Sequence, residues 1–223
     1  MESKDKSGLA SSNPFLQSHS GIIRIWHWIT FLLISLILVT VILNSTLLNA
    51  RANAVVVKER LAGQSITVDD RQAFSIAHFF DDQLWNLHKY LGIILSVFIL
   101  VRIIGEFTIP ADERIKHRMA SAILKSKSGI TESALNKEYL IVRISYSLFY
   151  VLILYMVLSG LLMSFGRDLG VPGNVIRPIR EIHGFCQWLM YAFVLFHIGG
   201  VILADLGKAK GVVSGMIHGN KQN

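Results

Sequence analysis

Four long apolar segments constrain this chain more than any other feature of its sequence. They cover residues 22–43, 84–104, 140–165 and 183–204. Each has the roughly 20 mostly apolar residues that a helix needs to cross about 30 Å of hydrocarbon. The chain is 52% hydrophobic and 17% charged, with a mean hydropathy of +0.48, which is too apolar for an ordinary soluble domain. Because lipid leaves open strands unsatisfied, the sequence predicts an all-α, membrane-embedded four-helix bundle.

Polar ends flank the predicted membrane domain, which comprises residues 22–204. Residues 1–21 are rich in Ser and Gly and are expected to form a loose tail, and residues 205–223 a second tail. The first apolar segment, followed by NARANA at 49–54, imitates a signal peptide with its cleavage site. The segment is longer than a typical signal core and three further spans follow it, so we expect it to remain as the first span.

The basic residues are distributed unequally between the two sides of the predicted bundle. Of the 22 Lys and Arg residues, 14 fall on the side of the two termini and 8 on the other side. Because basic residues are retained on the cytoplasmic side, both termini are predicted to be cytoplasmic. The formal net charge of +7 then reflects topology and attraction to anionic lipid, and a nucleic-acid partner has little support.

Two connections between spans are predicted to contain short interfacial helices. The outer connection, residues 44–83, includes VDDRQAF, in which Asp69 or Asp70 is suited to cap a helix. The inner connection includes IKHRMASAILK at 115–125, whose apolar residues share one helical face. We expect the outer connection to form a docking surface and the inner one to lie among lipid headgroups.

Four histidines lie inside the predicted spans, where an ionisable side chain is costly unless it is paired or ligated. They are His27 in the first span, His88 in the second, and His183 and His197 in the fourth. The last two are 14 residues apart, so they share one helix face about 21 Å apart along the axis. Because successive spans alternate in direction, His88 lies at the depth of His183 near the outer surface, and His27 at the depth of His197 near the inner surface. A lone histidine near a helix end is usually interfacial, but four with matched depths favour two pairs.

Two buried pairs of imidazoles are suited to two haems of b type, because haem iron accepts a neutral imidazole on each axial face. The predicted ligands are His88 and His183 for the outer haem, and His27 and His197 for the inner haem. Cations that could pair with the haem propionates are Arg24, Arg102 and Arg143 on the inner side, and Lys89 and Arg180 on the outer side. Arg102 and Arg143 suit a role as topology anchors equally well.

Other metal centres match the sequence less well. A carboxylate-bridged di-iron bundle needs glutamates that the spans lack. Structural zinc would favour cysteines, and Cys186 is the only one. No Cys-x-x-Cys-His exists to attach a c-type haem, so we expect Cys186 to be a small buried hydrophobe.

Four stretches of the sequence carry a family resemblance: IRIWHW (23–28), LHKYLGIILSVFILVRI (87–103), REIHGFCQWLMYAFVLFHIGG (180–200) and GKAKGVVSGMIHG (207–219). They resemble the b-type cytochrome subunit of membrane-bound nickel-iron hydrogenases, within the bacterial di-haem cytochrome b (cytochrome b-561-like) superfamily. The resemblance implies the same four axial ligands and a location in the bacterial cytoplasmic (inner) membrane. It also implies an electron-transfer subunit of a quinone-linked oxidoreductase complex. Such a subunit carries electrons between a periplasmic redox partner, such as a hydrogenase or a c-type cytochrome, and the membrane quinone pool.

Two other functional hypotheses remain open at this point. The chain could be a stand-alone, quinone-linked oxidase of a small diffusible donor such as superoxide, which would turn over without a stable periplasmic subunit. It could also be a binding or assembly bundle without redox chemistry, which would be colourless after purification with haem supplied.

Overall fold

Helices are the only regular elements in the computed structural model, which describes residues 20–108, 133–207 and 210–219. The helices in these ranges are α1 (Gly21–Ser45), α2 (Ala50–Ala62), α3 (Asp70–Thr108), α4 (Ser133–Phe165), α5 (Gly173–Leu206) and α6 (Val212–His218). Four of them, α1, α3, α4 and α5, are long and apolar enough to cross a membrane. The predicted all-α fold with four spans is confirmed, and the cytoplasmic position of both termini stays a prediction.

The helix α3 is much longer than the apolar segment that predicted it. It runs for 39 residues and begins well before the predicted span at residue 84. Its start is a capping box, in which Asp69 Oδ1 accepts from the Gln72 backbone N–H at 2.7 Å and Gln72 Oε1 accepts from the Asp69 N–H at 2.9 Å. The predicted helix cap at Asp69 or Asp70 is therefore confirmed at Asp69.

The outer connection forms a helical hairpin, in which α2 packs against α3. We call residues 50–83 the α2–α3 hairpin. Its buried residues Ala50, Ala73 and Ala77 are small, which lets two helix backbones approach closely. Lys58 Nζ donates to Asp70 Oδ1 at 2.5 Å, and this hydrogen bond and charge raise the pKa of Lys58. The connection therefore carries structure of its own, as its length and the cap had indicated.

The chain divides into two compact units, each assembled from separate parts of the sequence. Residues 28–108 and 150–191 form one unit, here called the hairpin unit because it contains the α2–α3 hairpin. Of the described residues, 20–27, 133–149, 192–207 and 210–219 belong to the other, here called the termini unit. In the hairpin unit the buried side chains of α1 lie along one face of the helix: Thr30, Leu33, Ile34, Leu38, Thr40, Val41 and Asn44.

Some predicted features fall outside the described residues. They are the tail at 1–19, the amphipathic segment at 115–125 and the side chain of Arg143. The predicted C-terminal tail is partly ordered as α6. Before this helix, Asp205 Oδ1 accepts hydrogen bonds from the backbone N–H groups of Gly211 and Val213, at 3.0 and 3.3 Å. A carboxylate in this place satisfies N–H groups that the first turn of a helix leaves unpaired.

Candidate functional site

In the hairpin unit, the hydroxyl of Thr40 on α1 contacts the imidazole of His88 on α3. The Oγ1–Nδ1 distance is 2.9 Å. The same hydroxyl donates its proton to the carbonyl of Ile37, at 2.6 Å. A hydroxyl has only one proton, so its oxygen must accept from the Nδ1–H of His88. In a neutral imidazole, this contact places the proton on Nδ1 and leaves a lone pair on Nε2.

His183 on α5 has a matching contact with Ser159 on α4. The distance from Ser159 Oγ to His183 Nδ1 is 2.7 Å. The Ser159 hydroxyl is directed to carbonyls of its own helix, 2.6 Å from Tyr155 O and 3.2 Å from Met156 O. Its oxygen therefore accepts from the Nδ1–H of His183, and the Nε2 of this ring is again the unprotonated nitrogen.

The structure brings His88 and His183 close enough to interact electrostatically. Both side chains are half-buried, and the ring of Trp85 lies edge-on to His88 with the centroids 5.4 Å apart. Gly160 lies beside His183, since a Cβ at this position would be 3.6 Å from His183 Cε1. Two imidazoles, each with its Nδ1 bound to a hydroxyl, therefore occupy one region of the hairpin unit.

In the termini unit, His27 on α1 lies beside His197 on α5. Their ring centroids are 6.2 Å apart, with an angle of 60° between the planes. The His197 ring also stacks on Phe193, at 5.8 Å and 9°, and Phe193 stacks on Phe149 at 4.6 Å and 23°. A continuous aromatic stack therefore supports His197.

His27 and His197 are direct neighbours, since their ring centroids are only 6.2 Å apart. A pair of neutral imidazoles is the donor set that a six-coordinate haem iron of b type uses. The residues of both pairs thus suit haem.

Buried polar groups near the His88/His183 pair are also consistent with a bound polar molecule. Asn44, only 4% exposed, follows Thr40 by one helical turn, and neither of its amide atoms has a hydrogen-bond partner within the part of the chain that the structure describes. The Tyr155 hydroxyl, one turn before Ser159, is buried beside the Ser159 side chain. Such groups are costly when unsatisfied, so they suit a site that a ligand completes.

The five cations proposed from the sequence have different surroundings. Arg24 Nη1 donates to the Ile217 carbonyl at 3.1 Å, which ties α1 to α6, while its buried Nε has no partner in the described residues. Lys89 and Arg180 are exposed, and Arg102 is half-buried. The side chain of Arg143 lies outside the described residues. Among the described side chains of these five cations, Arg24 is the one with a buried donor available in the termini unit.

The sequence analysis missed Thr40 and Ser159. Hydroxyls are frequent in membrane helices, where most bond to a carbonyl of their own helix, and nothing in the sequence distinguishes one that also contacts a histidine. The only available signal is their position among Leu, Ile and Val on a buried face. His78, by contrast, lies early in α3, and its Nδ1 is 3.2 Å from Asp81 Oδ2.

Comparison with known proteins gives one family match. The model of the prokaryotic cytochrome b561 family matches residues 18–219, which include all six helices described above. Neither the curated proteins nor the solved structures gave a match. The family match spans most of the chain, and its boundaries enclose both histidine pairs. The chain therefore belongs to the prokaryotic cytochrome b561 family.

Proposed function

We propose that this membrane b-type cytochrome binds two haems and carries electrons between a periplasmic redox partner and membrane quinone. Family membership establishes the coarser statement, a membrane b-type cytochrome in electron transfer. The proposed ligands are His88 and His183 for one haem, and His27 and His197 for the other. The observation that carries the proposal is that each compact unit contains one pair of neighbouring imidazoles.

Haem, when bound, supplies the one-electron redox chemistry. The protein's own residues hold and tune it. Thr40 and Ser159 keep a proton on Nδ1 of their histidines, so that Nε2 presents its lone pair. Phe193 fixes the plane of the His197 ring through stacking. In the termini unit, the buried Nε of Arg24 is a candidate donor to a propionate.

The α2–α3 hairpin favours a protein partner over a small diffusible donor. It belongs to the same unit as His88 and His183, and it presents exposed apolar side chains, including Val55, Phe79 and Phe80. Exposed aromatic residues are enriched at protein interfaces. We therefore propose that this hairpin receives the electron-donating subunit, such as a hydrogenase or a c-type cytochrome. The quinone would accept electrons within the bilayer, as the family resemblance implies.

Haem content tests the proposal directly. The intact chain, purified in mild detergent, should contain two non-covalent haems per polypeptide and give a reduced-minus-oxidised spectrum of b type. His88→Ala should remove one haem, whereas His78→Ala, on the same helix but outside both pairs, should remove none. A single haem in the intact chain, or equal losses in the two variants, would contradict the assignment of ligands.

A second measurement separates a protein donor from a small one. If the hairpin receives a subunit, a redox protein should co-purify with the intact chain and be lost after Phe79→Glu and Phe80→Glu. Quinone reduction by that complex should then fail while both haems remain. A lone chain that reduces quinone with superoxide at full rate, with or without these changes, would favour the stand-alone oxidase.

A further inference from the structure

Two buried hydroxyls contact the proposed ligands of one haem in the same way. Thr40 is 3% exposed and Ser159 is 4% exposed, so both are shielded from solvent within the hairpin unit. Thr40 on α1 contacts His88 on α3, and Ser159 on α4 contacts His183 on α5. The same chemical arrangement therefore occurs on both sides of this site.

Each hydroxyl donates its single proton to a carbonyl, and this fixes the direction of its hydrogen bond with the histidine. Thr40 donates to the Ile37 carbonyl and Ser159 to the Tyr155 carbonyl, at 2.6 Å in each case. Each oxygen is left with lone pairs only, so it accepts from the histidine. Both rings therefore carry their proton on Nδ1.

We infer that Thr40 and Ser159 are positioning residues that hold the two imidazoles in the Nδ1–H tautomer and make the haem between them harder to reduce. This inference rests on the proposed ligation of that haem by His88 and His183. A hydrogen bond accepted from Nδ1–H raises the basicity of the opposite nitrogen, so the ligand donates more strongly to iron. Stronger donation stabilises the ferric state, which lowers the reduction potential.

Each hydroxyl donates to a carbonyl of its own helix, and this hydrogen bond makes it suited to accept from a histidine. A free hydroxyl can rotate and donate its proton to a histidine, which would favour the other tautomer. With the proton committed to a carbonyl of its own helix, the hydroxyl is an acceptor of fixed direction. The geometry of α1 and α4 therefore determines which imidazole nitrogen is available to the metal.

The test uses haem-loaded, full-length protein and a redox titration that resolves the two haems. Thr40→Val and Ser159→Ala should each move the potential of one haem to more positive values, and the double variant should move it further. The low-spin electron paramagnetic resonance signal of the same haem should shift, and that of the other haem should not. Thr40→Ser and Ser159→Thr keep a hydroxyl, so this haem should retain its original potential in both variants.

Two matched controls separate this effect from general repacking. Thr30→Val removes another buried hydroxyl of α1, and Ser164→Ala removes another back-bonded hydroxyl of α4, 2.9 Å from the Gly160 carbonyl. Neither hydroxyl contacts a histidine among the described residues, so the potentials of both haems should stay at their original values. Equal shifts in the controls, or no shift in Thr40→Val and Ser159→Ala, would overturn the inference.

Haem retention provides a readout that does not depend on the titration. Loss of such supporting hydrogen bonds typically weakens metal binding by about 10- to 100-fold, so transfer of one haem to apomyoglobin should accelerate by a similar factor. If a variant loses that haem entirely, retention in Ser159→Thr but not in Ser159→Ala supports the inference, and loss from both contradicts it. Failure of the ligand assignment is distinguishable, because His88→Ala would then leave both haems in place.

Discussion

The hairpin unit and the termini unit each contain a pair of histidines, but the contacts around the two pairs differ in kind. In the hairpin unit, hydroxyls of Thr40 and Ser159 accept hydrogen bonds from both imidazoles. In the termini unit, the contacts described for His197 are with rings, those of Phe193 and His27. Hydrogen bonds change the electronic character of a ligand, whereas stacking mainly fixes its orientation. Two similar pairs of imidazoles in one chain are thus held by different kinds of contact.

The largest expected effect comes from removing one ligand of each pair. His183→Ala should eliminate only the haem of the hairpin unit, and His197→Ala only that of the termini unit, because each change strips one axial ligand from one iron. Pigment analysis with redox titration of the remaining haem distinguishes the two. His218→Ala, an exposed histidine of α6, is the control and should retain both haems. Loss of the same haem from both variants would contradict the assignment of one haem to each unit.

A smaller effect should follow from Arg24→Gln, which weakens the link between α1 and α6 in the termini unit. The charged hydrogen bond to the Ile217 carbonyl contributes about 1.5 kcal/mol, so amide exchange over residues 212–218 should accelerate roughly tenfold. Arg177→Gln, which removes an exposed ion pair with Glu181, should leave that exchange unchanged. Unaltered exchange in Arg24→Gln would mean that this hydrogen bond does not hold α6 in place.

The capping box of α3 allows the hairpin to be weakened without touching a histidine. Asp69→Ala should destabilise the first turn of α3 by about 1 kcal/mol, measured as faster amide exchange at residues 70–74. Both haem potentials should remain at their original values, because the cap lies far along the helix from His88. Asp82→Ala, which removes a carboxylate outside the cap, is the control. A change in either potential would show that the hairpin and the ligand pair are coupled.

The smallest effect is expected from Phe193→Leu, which removes the stack on His197 and keeps an apolar side chain. The loss should be about 0.5 kcal/mol, or roughly a twofold faster release of the haem of the termini unit. Its potential should move less than that of the other haem does in Ser159→Ala. Phe185→Leu, at an exposed position of α5, should affect neither haem. A larger shift of haem potential in Phe193→Leu than in Ser159→Ala would mean that ring stacking affects the potential more than the hydroxyl contact does.

Much of the fold could be predicted because the bilayer imposes a simple rule on sequence. A span needs a long apolar segment, and residues 22–43 and 183–204 meet this rule whatever their neighbours are. The cap at Asp69 was also recognisable, since a carboxylate followed three residues later by Gln is a local signal. The unbroken continuation of this helix into the membrane span was not recognisable, because the polar residues 81–83 separate the capped segment from the apolar one.

The candidate site was less accessible to sequence analysis. Histidines in apolar segments stand out, since an ionisable group there needs a partner. The hydroxyls that contact them do not stand out, because Thr40 and His88 are 48 residues apart and meet only when the helices pack. The cations were hardest to assign. Arg24 belongs to a backbone contact with α6, which the sequence did not indicate, and Lys89 and Arg180 are exposed.

The unbroken course of α3 has a consequence for how a docked protein would meet His88. The helix is continuous from the hairpin to this histidine, so Ala77 and His88 are about 16 Å apart along its axis. Each residue added or removed between them would slide the docking platform by about 1.5 Å and swing it by about 100° around the imidazole. If the hairpin receives the electron donor, as proposed, the number of residues in this helix would set the distance and direction from which the donor approaches His88.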